Sequence, residues 1–200
     1  MLTHVRPAIV MLALFTLLTG VAYPLLVTGI AQTILPVQAN GSLIVAKSGV
    51  VVGSALVGQN FADPKYFQPR PSATNTPDPK DATKNIDAPY NAANSSGSNL
   101  GPTSQVLVDR VKAAIEAKRA AGWTGPIPAD AVTTSASGLD PDISPDNAYA
   151  QVQTVAQARG LDASKIKALV DAHVDARTFG LIGEPRVNVL KLNIALDGLS

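Results

Sequence analysis

The longest apolar run in the chain lies close to its amino terminus. Between Pro7 and Leu35 no side chain carries a charge, and roughly 20 apolar residues are enough to cross the hydrocarbon core of a bilayer as a helix. The run therefore predicts one transmembrane helix over residues 7–35, with its excess length tilted or protruding at the Gln32 end. A cleaved secretory signal ending at Ala39 is the alternative, but the run is about twice as long as the apolar part of a usual signal.

The charges on either side of this run indicate its orientation. Arg6 and the amino terminus precede the run, and Lys47 is the first charged residue after it. Positive charge tends to remain in the cytoplasm. We therefore expect residues 1–6 to be cytoplasmic and residues 36–200 to form a domain on the outer face of the membrane.

Within the span, small or hydrogen-bonding residues recur at every fourth position. Such residues let the backbones of membrane helices approach one another, so the row predicts packing against a partner helix. The alternative is that Gly, Pro and Thr are simply common in single spans. Proline removes one amide from the helix ladder, and a kink is expected there. The row consists of Thr16, Gly20, Pro24, Thr28 and Gln32.

Beyond the span, shorter patterns predict an α+β domain. Apolar and β-branched runs, or alternation of apolar and polar residues, predict strands at 42–46, 50–57, 131–134 and 190–196. Apolar residues at helical spacing predict helices at 103–121, 145–159 and 163–177. Ser144 is expected to cap the second helix, with Pro145 at its first position. A segment of about 160 residues is long enough for a single packed core.

An extended, proline-rich stretch at 60–71 contains three aromatic residues and one arginine. Two interpretations of Tyr66, Phe67 and Arg70 remain open. The aromatic rings either lie at the edge of the core, or Arg70 and an exposed ring form a docking point for a partner.

The stretch 72–102 is poor in apolar residues and rich in Asn, Asp, Ser and Pro. Such a composition predicts a long polar loop or an unstructured linker. The amides and hydroxyls between Asn91 and Asn99 suit turns that bond their own backbone, which favours the ordered loop.

Composition narrows the function without naming it. The chain has 16 basic and 15 acidic side chains, so no strong electrostatic field directs it to nucleic acid. It has no cysteine, which excludes disulfides, thiolate metal sites and cysteine nucleophiles.

Several partial motifs for catalysis or metal binding are incomplete. The glycines at 53 and 58 have the spacing of a phosphate loop, but Gln59 follows where lysine is required. The acidic run 140–146 resembles half of a calcium loop, with Pro145 at the glycine position. His173 is a lone helical histidine, a pattern more often structural than catalytic. Glu184 and Arg186 are expected to pair with each other or to anchor the preceding loop.

Five ordered motifs and the single span carry a family resemblance. The motifs are GSALVGQNF at 53–61, YFQPRPSA at 66–73, YNAANSSGSNLGPTS at 90–104, SGLDPDISP at 137–145 and GEPRVNVLKLNIALD at 183–197. Together they resemble the C subunit of the Kdp-type potassium-transporting ATPase over essentially the whole chain. The family usually has two glycines before its SNL sequence, and Ser96 takes the place of the first, which puts the shape of this loop in question.

The resemblance implies an accessory, non-catalytic subunit of a bacterial inner-membrane complex, with its main domain periplasmic. The implied partners are a channel-like potassium-binding subunit, a P-type ATPase subunit that holds ATP and magnesium, and a small single-span subunit. The family has also been described as a catalytic chaperone that raises the ATP affinity of the pump subunit through a ternary complex. We expect instead an outer domain that covers the potassium entrance, because only about six residues would face the cytoplasm.

Uncharged oxygens of the polar loop are candidates for a potassium vestibule, with turn formation as the alternative role for each. Two other classes of function are weighed against this one. An anchored hydrolase requires a nucleophile and base for which no motif is present, and a free periplasmic binding protein requires cleavage after Ala39. The candidate vestibule residues are Asn91, Asn94, Ser95, Ser98 and Asn99.

Overall fold

A long apolar helix forms most of the first of two units into which the computed structural model divides, Met1–Ser54 and Ala55–Ser200. The structure describes residues 2–46 and 48–199. The apolar helix runs from Val5 to Ile34 and is long and apolar enough to cross a membrane once. Lys47, the first charged residue after the apolar run, lies outside the described residues.

The helix has one irregularity, next to its proline. It consists of α1 (Val5–Leu17), a π-helical turn (Leu18–Ala22) and α2 (Tyr23–Ile34). Pro24 has no amide hydrogen to donate to the preceding turn, and the π turn lies immediately before it along the helix. The disturbance predicted at Pro24 therefore takes the form of a π turn just before it.

After a short helix α3 (Pro36–Ala39), the first unit ends in a hairpin of β1 (Leu43–Val45) and β2 (Val51–Ser54). The strands are antiparallel and pair Leu43 with Ser54. The predicted pair of strands is present, although both are shorter than the apolar runs that predicted them.

The core of the second unit lies between a small sheet and three helices. The sheet consists of β5 (Asp142–Ile143), β6 (Val174–Asp175) and β7 (Arg186–Asn188). It is antiparallel, with the order β5-β7-β6. The helices are α5 (Pro145–Arg159), α6 (Ala163–Ala172) and α7 (Val189–Asp197). Phe67, Ile166, Val187, Leu192 and Leu196 are completely buried among them, and the α+β class is as predicted.

The local signals at α5 and α6 define their ends. Ser144 accepts a hydrogen bond from the Asn147 amide at the start of α5, and the left-handed Gly160 ends it, as predicted. Asp162 caps α6 in the same way through Ser164. The helix predicted at 163–177 is shorter in the structure, because α6 ends at Ala172 and leaves His173 as its carboxyl-terminal cap.

The predicted strand 190–196 is wrong, because these residues form α7. Val189, Leu192, Asn193 and Leu196 are buried with the spacing of one helix face, whereas Ile194 is 40% exposed. The alternation of leucines coincides with this face at only part of its positions. Asn188 caps the helix by accepting a hydrogen bond from the Lys191 amide.

Two further differences concern the middle of the chain. The predicted strand 131–134 is wrong, since its first residue belongs to a 3₁₀ turn (Ala129–Ala131) and residues 132–134 form no strand. The stretch 72–102 is ordered but contains a hairpin, β3 (Asn75–Asp78) and β4 (Asp81–Asp87). Its strands were not predicted because most of β4 is exposed, so no alternation of apolar and polar residues marks it.

The helix predicted from Thr103 is present as α4 (Gln105–Ala120). None of its residues is fully buried, and Val106, assigned to its apolar face, is 65% exposed. Leu107, Val111 and Ile115 are half-buried. The helix is thus held at the surface of the domain, where the Lys118 ammonium lies 4.7 Å from the centre of the Trp123 ring.

Candidate partner-binding site

The segment around Phe67 is held by side-chain amides where a neighbouring strand would otherwise bond it. Asn193 of α7 accepts from the Phe67 amide at 2.9 Å and donates to the Phe67 carbonyl at 2.9 Å. Gln151 of α5 does the same for Gln68, at 2.7 and 3.0 Å. Both amide side chains are buried. The extended segment is therefore fixed rigidly on the two helices.

This arrangement distinguishes Tyr66 from Phe67. Phe67 is completely buried, which supports the core-edge interpretation for this ring. Tyr66 is half-buried, and its hydroxyl donates to Asp197 at 3.2 Å. The Arg159 guanidinium lies 4.9 Å from the centre of the Tyr66 ring and pairs with Asp197 at 2.6 Å. Of the two rings, only Tyr66 is accessible to a partner.

Arg70 is engaged inside the domain. Its guanidinium pairs with Asp140 at 2.9 Å and donates to the Thr134 carbonyl at 3.3 Å. Both members of the ion pair are about one-quarter exposed. Arg70 therefore joins the YFQPRPSA motif to the SGLDPDISP motif, and docking is at most a second role for it.

Tyr90 joins the third motif to the other two. Its hydroxyl donates to the Arg70 carbonyl at 2.8 Å, and its amide donates to the Ser72 hydroxyl at 3.1 Å. The backbone at Tyr90 is left-handed, with φ 62°. Burial raises the pKa of the Tyr90 phenol, and the Asp140 carboxylate raises it further.

Glycine is required where the chain passes close to this tyrosine. A Cβ atom at Gly58 would lie 2.4 Å from the Tyr90 ring and 2.5 Å from the Asp140 carbonyl oxygen. Both neighbours belong to the family motifs, so four of the five motifs meet in one packed junction. Here we call this junction, formed by Gly58, Arg70, Ser72, Tyr90 and Asp140, the motif junction.

The polar loop after Tyr90 bonds mainly to its own domain. Asn91 donates to the Asn75 carbonyl at 2.9 Å and accepts from the Ala93 amide at 3.1 Å. Asn94 donates to the same carbonyl at 3.0 Å. These contacts support turn formation as the role of the two asparagines.

The remaining candidate vestibule residues differ in accessibility. Ser95 donates to the Ser137 carbonyl at 3.0 Å, and Ser98 accepts from Arg110 at 3.4 Å. Asn99 is exposed and left-handed, with φ 52°. Ser96 does not have a positive φ, so the serine that replaces the usual glycine causes no strain in the backbone.

In the long apolar helix Val5–Ile34, the predicted row is exposed along its whole length. Within the described part of the chain, the side chains of Thr16, Thr28 and Gln32 make no hydrogen bond. Thr19 and Thr33, outside the row, instead donate to carbonyls of their own helix at 2.6 and 3.0 Å. The row therefore offers polar groups that a partner helix is able to bind.

Of the two roles expected for Glu184 and Arg186, the structure supports anchoring of the preceding loop rather than pairing with each other. Glu184 pairs with Arg177, on the other side of residues 178–183, and Arg186 pairs with Asp142 at 3.2 Å. Burial raises the pKa of the Asp142 carboxyl, although the hydrogen bond from Asn188 and the nearby Arg186 lower it. Burial is thus a larger influence on this carboxyl than the half-exposed Arg186 guanidinium.

The sequence analysis did not identify Gln151 and Asn193, the two buried side-chain amides that bond the backbone of residues 67 and 68. The available signal was a polar residue on the apolar face of each helix, which in a buried position requires hydrogen-bond partners. The acidic run 140–146 also makes structural contacts within the domain. Asp140 pairs with Arg70, Asp142 accepts a hydrogen bond from Asn188, and Ser144 caps α5. In residues 2–46 and 48–199, no three His, Cys, Asp or Glu side chains come together in a way that would hold a metal ion.

Comparison with known proteins identifies the family. The model of the family described as "K+-transporting ATPase, c chain" matches residues 5–198. The "Potassium-transporting ATPase KdpC subunit" of Bradyrhizobium diazoefficiens is 58% identical over 197 residues, which cover 98% of both chains. The protein of the same name from Methylobacterium nodulans is 58% identical over 200 residues, covering 100% of this chain and 99% of the relative. The resemblance based on the five motifs is confirmed: this chain belongs to the family of the c chain of K+-transporting ATPases.

Proposed function

We propose that this chain is a non-catalytic, single-pass subunit of an ATP-driven potassium uptake complex in the bacterial inner membrane. One observation carries the proposal: an apolar helix of 30 residues has none of its membrane-spanning window buried by the rest of the chain. Three of the five residues in its regular row carry hydrogen-bonding groups that its own chain leaves unbonded. Such a helix suits lateral attachment to other membrane helices. Its partners would be the channel-like, P-type ATPase and small single-span subunits.

Two glycines of the helix provide a matched test of this attachment. Gly20 belongs to the row, whereas Gly29 lies outside it, about 100° around the helix from Thr28. A Cβ atom at either position would meet nothing of its own chain within 4 Å. Leucine at either position is therefore compatible with the isolated helix.

We expect Gly20→Leu to reduce roughly tenfold the amount of P-type ATPase subunit that co-purifies in mild detergent, because the bulkier residue separates the helices. Gly29→Leu should leave co-purification at the wild-type level. If the wild-type chain brings no ATPase subunit with it, the proposed function is wrong. Equal losses for the two variants would show that packing against the partner is not specific to the row.

Arg6 ahead of the span favours a cytoplasmic amino terminus and a periplasmic domain. In that orientation the motif junction and its ordered loop lie in the periplasm. We propose that they cover the potassium entrance of the channel-like subunit. Protease added to intact spheroplasts should then digest the domain and spare the span. Full protection of the domain would reverse the orientation.

The loop 91–99 would act as a shaped cover rather than as a set of potassium ligands. Its asparagines are used in turns, and Asn99 alone pairs exposure with a left-handed backbone that glycine can also adopt. We expect Asn99→Gly to leave the potassium affinity of uptake unchanged, while Tyr90→Ala, which removes the support of the loop, weakens it. A loss of affinity with Asn99→Gly would favour the vestibule role instead.

Any effect on ATP affinity would then pass through the partner subunits, as a coupling between distant sites. The coupling is measurable as the ratio of ATP affinities of the pump subunit with and without this chain. A ratio of one would remove the chaperone role.

A further inference from the structure

The loop between β6 and β7 exposes three large apolar side chains together. Phe179 is 90% exposed, Leu181 82% and Ile182 66%. Between Thr178 and Gly183 the chain has no charged residue. Single exposed apolar residues are ordinary, but a contiguous apolar group on a soluble domain marks an interaction surface. We call residues 178–182 the apolar loop.

The apolar loop is closed by its own backbone. Thr178 and Ile182 exchange two hydrogen bonds, at 2.9 and 3.0 Å, and the Gly180 amide donates to the Arg177 carbonyl at 3.0 Å. Arg177 pairs with Glu184 across the base of the loop. The strand that follows includes Val187, which is completely buried in the core. The exposed side chains therefore project from a fixed frame.

Phe179 adopts an unfavourable backbone conformation within this frame. Its φ is 54°, and a bulky residue with positive φ is an outlier in proteins. Strain of this kind persists only where the surroundings impose it, and it is concentrated at functional positions. Because the ring is almost entirely exposed, packing within the domain gives no reason for phenylalanine here.

Both arginines beside the apolar loop are paired. Arg177 is bound to Glu184, and Arg186 is bound to Asp142, whereas the exposed Asp175 has no ion pair among the described residues. A surface that binds anionic lipid instead presents free Lys and Arg, and one that lies at the headgroups favours Trp and Tyr. A rim whose arginines are both paired, around an apolar tip, complements a neutral apolar pocket in a protein better than an anionic lipid surface.

We infer that the apolar loop docks into a neutral, apolar pocket on the outer surface of another protein subunit of the transporter. The inference rests on the proposed function and gives it a specific contact surface. Because the loop is ordered before binding, little conformational entropy is lost when Phe179, Leu181 and Ile182 become buried. A few such anchors usually supply most of the binding energy of an interface.

Photo-crosslinking tests this directly in the full complex in its own membrane. The photoreactive analogue p-benzoylphenylalanine at position 179 should crosslink to an identified subunit of the purified transporter. The same analogue in place of Val106, which is 65% exposed on α4, should give at least tenfold less crosslink to that subunit. Crosslinks only to lipid, only to a second copy of this chain, or to nothing would overturn the inference.

Serine variants give a second measurement. Phe179→Ser, Leu181→Ser and Ile182→Ser combined should lower the co-purified transporter subunits at least tenfold, with an unchanged thermal midpoint of the isolated chain, whereas Val106→Ser should lower neither. Phe179→Asn should raise that midpoint, since asparagine tolerates positive φ, and still weaken co-purification. A wild-type level of co-purification in the triple variant would contradict the inference alone, whereas failure of the wild-type chain to co-purify would contradict the proposed function.

Discussion

In this domain, hydrogen bonds of individual side chains hold segments together that are held in other proteins by the backbone hydrogen bonds of helices and sheets. Tyr90 has a left-handed backbone, its amide bonds to Ser72, and its hydroxyl bonds to Arg70. Nothing in the sequence around YNAANSS specifies these partners, because they lie 18 and 20 residues away. Sequence patterns predicted that the loop is ordered, but the tyrosine that orders it was identified only by its contacts.

Removing the Tyr90 hydroxyl should be costly. Tyr90→Phe leaves the Arg70 carbonyl without this bond in a partly buried place, and we expect a loss of about 1.5 kcal/mol in the free energy of unfolding. Tyr149→Phe is the matched control, since that hydroxyl bonds to Asp171 at an exposed position and should contribute less than about 0.5 kcal/mol. Urea unfolding of both variants measures the difference, and equal losses would contradict the role given to Tyr90.

The pKa values of two carboxyl groups should be shifted in opposite directions from the ordinary value. Burial raises the pKa of Asp142, and hydrogen bonds from Ser164 lower the pKa of Asp162. Carboxyl resonances followed by NMR should therefore place Asp142 above the ordinary value of 3.8 and Asp162 below it.

The sign of the effect on stability follows from the same shifts. The contribution of Asp142 is present below pH 3.8 and is lost as the pH rises through its raised pKa. The contribution of Asp162 is present above pH 3.8 and is lost as the pH falls through its lowered pKa. Asp142→Asn should remove the first trend from the pH dependence of unfolding and keep the second. An unchanged pH dependence in this variant would show that Asp142 is not perturbed.

At the scale of elements, predictions succeeded where local chemistry determines the outcome. The Ser144-Pro145 start and the Gly160 end of α5 are short-range signals, and both are present in the structure. The leucines of α7 were misassigned because alternation over a few residues also occurs on part of a helix face. β3 and β4 were missed because strands that bury no face carry no pattern of alternation. For α7, the contacts that decide the element come from distant parts of the chain, whereas β3 and β4 pair only with each other.

Asn193 connects α7 to the extended segment 66–68, and we expect the stability of the domain to depend strongly on its side-chain amide. Asn193→Ala removes both bonds to Phe67 and leaves a buried amide and carbonyl without partners. We expect a loss of about 3 kcal/mol in the free energy of unfolding, from two groups at roughly 1–3 kcal/mol each. Gln153→Ala on the exposed side of α5 should be within about 0.5 kcal/mol of the wild type. A small loss for Asn193→Ala would mean that the 66–68 segment is held mainly by the Phe67 ring.

At the scale of the whole molecule, the proposed function assigns attachment to the first unit and recognition to the second. Every residue of the buried core belongs to the second unit, so residues 55–200 should fold without the span. The first unit contributes an exposed apolar helix, which in a membrane acts as an anchor and a packing surface. If the domain binds its partner through a small surface such as the apolar loop, the anchor also keeps that surface at a high effective concentration near the partner.

A chain of residues 55–200 should therefore unfold at the same urea midpoint as the domain of the full-length protein and yet associate with the transporter roughly 100-fold more weakly, because its binding has become bimolecular. Joining the same residues to an unrelated span of leucine and alanine should restore part of the association, since the anchor returns but the row of Thr16 to Gln32 does not. Quantitative co-purification of the three chains measures both contributions. Full association of the soluble chain would show that the domain alone supplies the affinity, and full recovery with the unrelated span would show that the row contributes nothing.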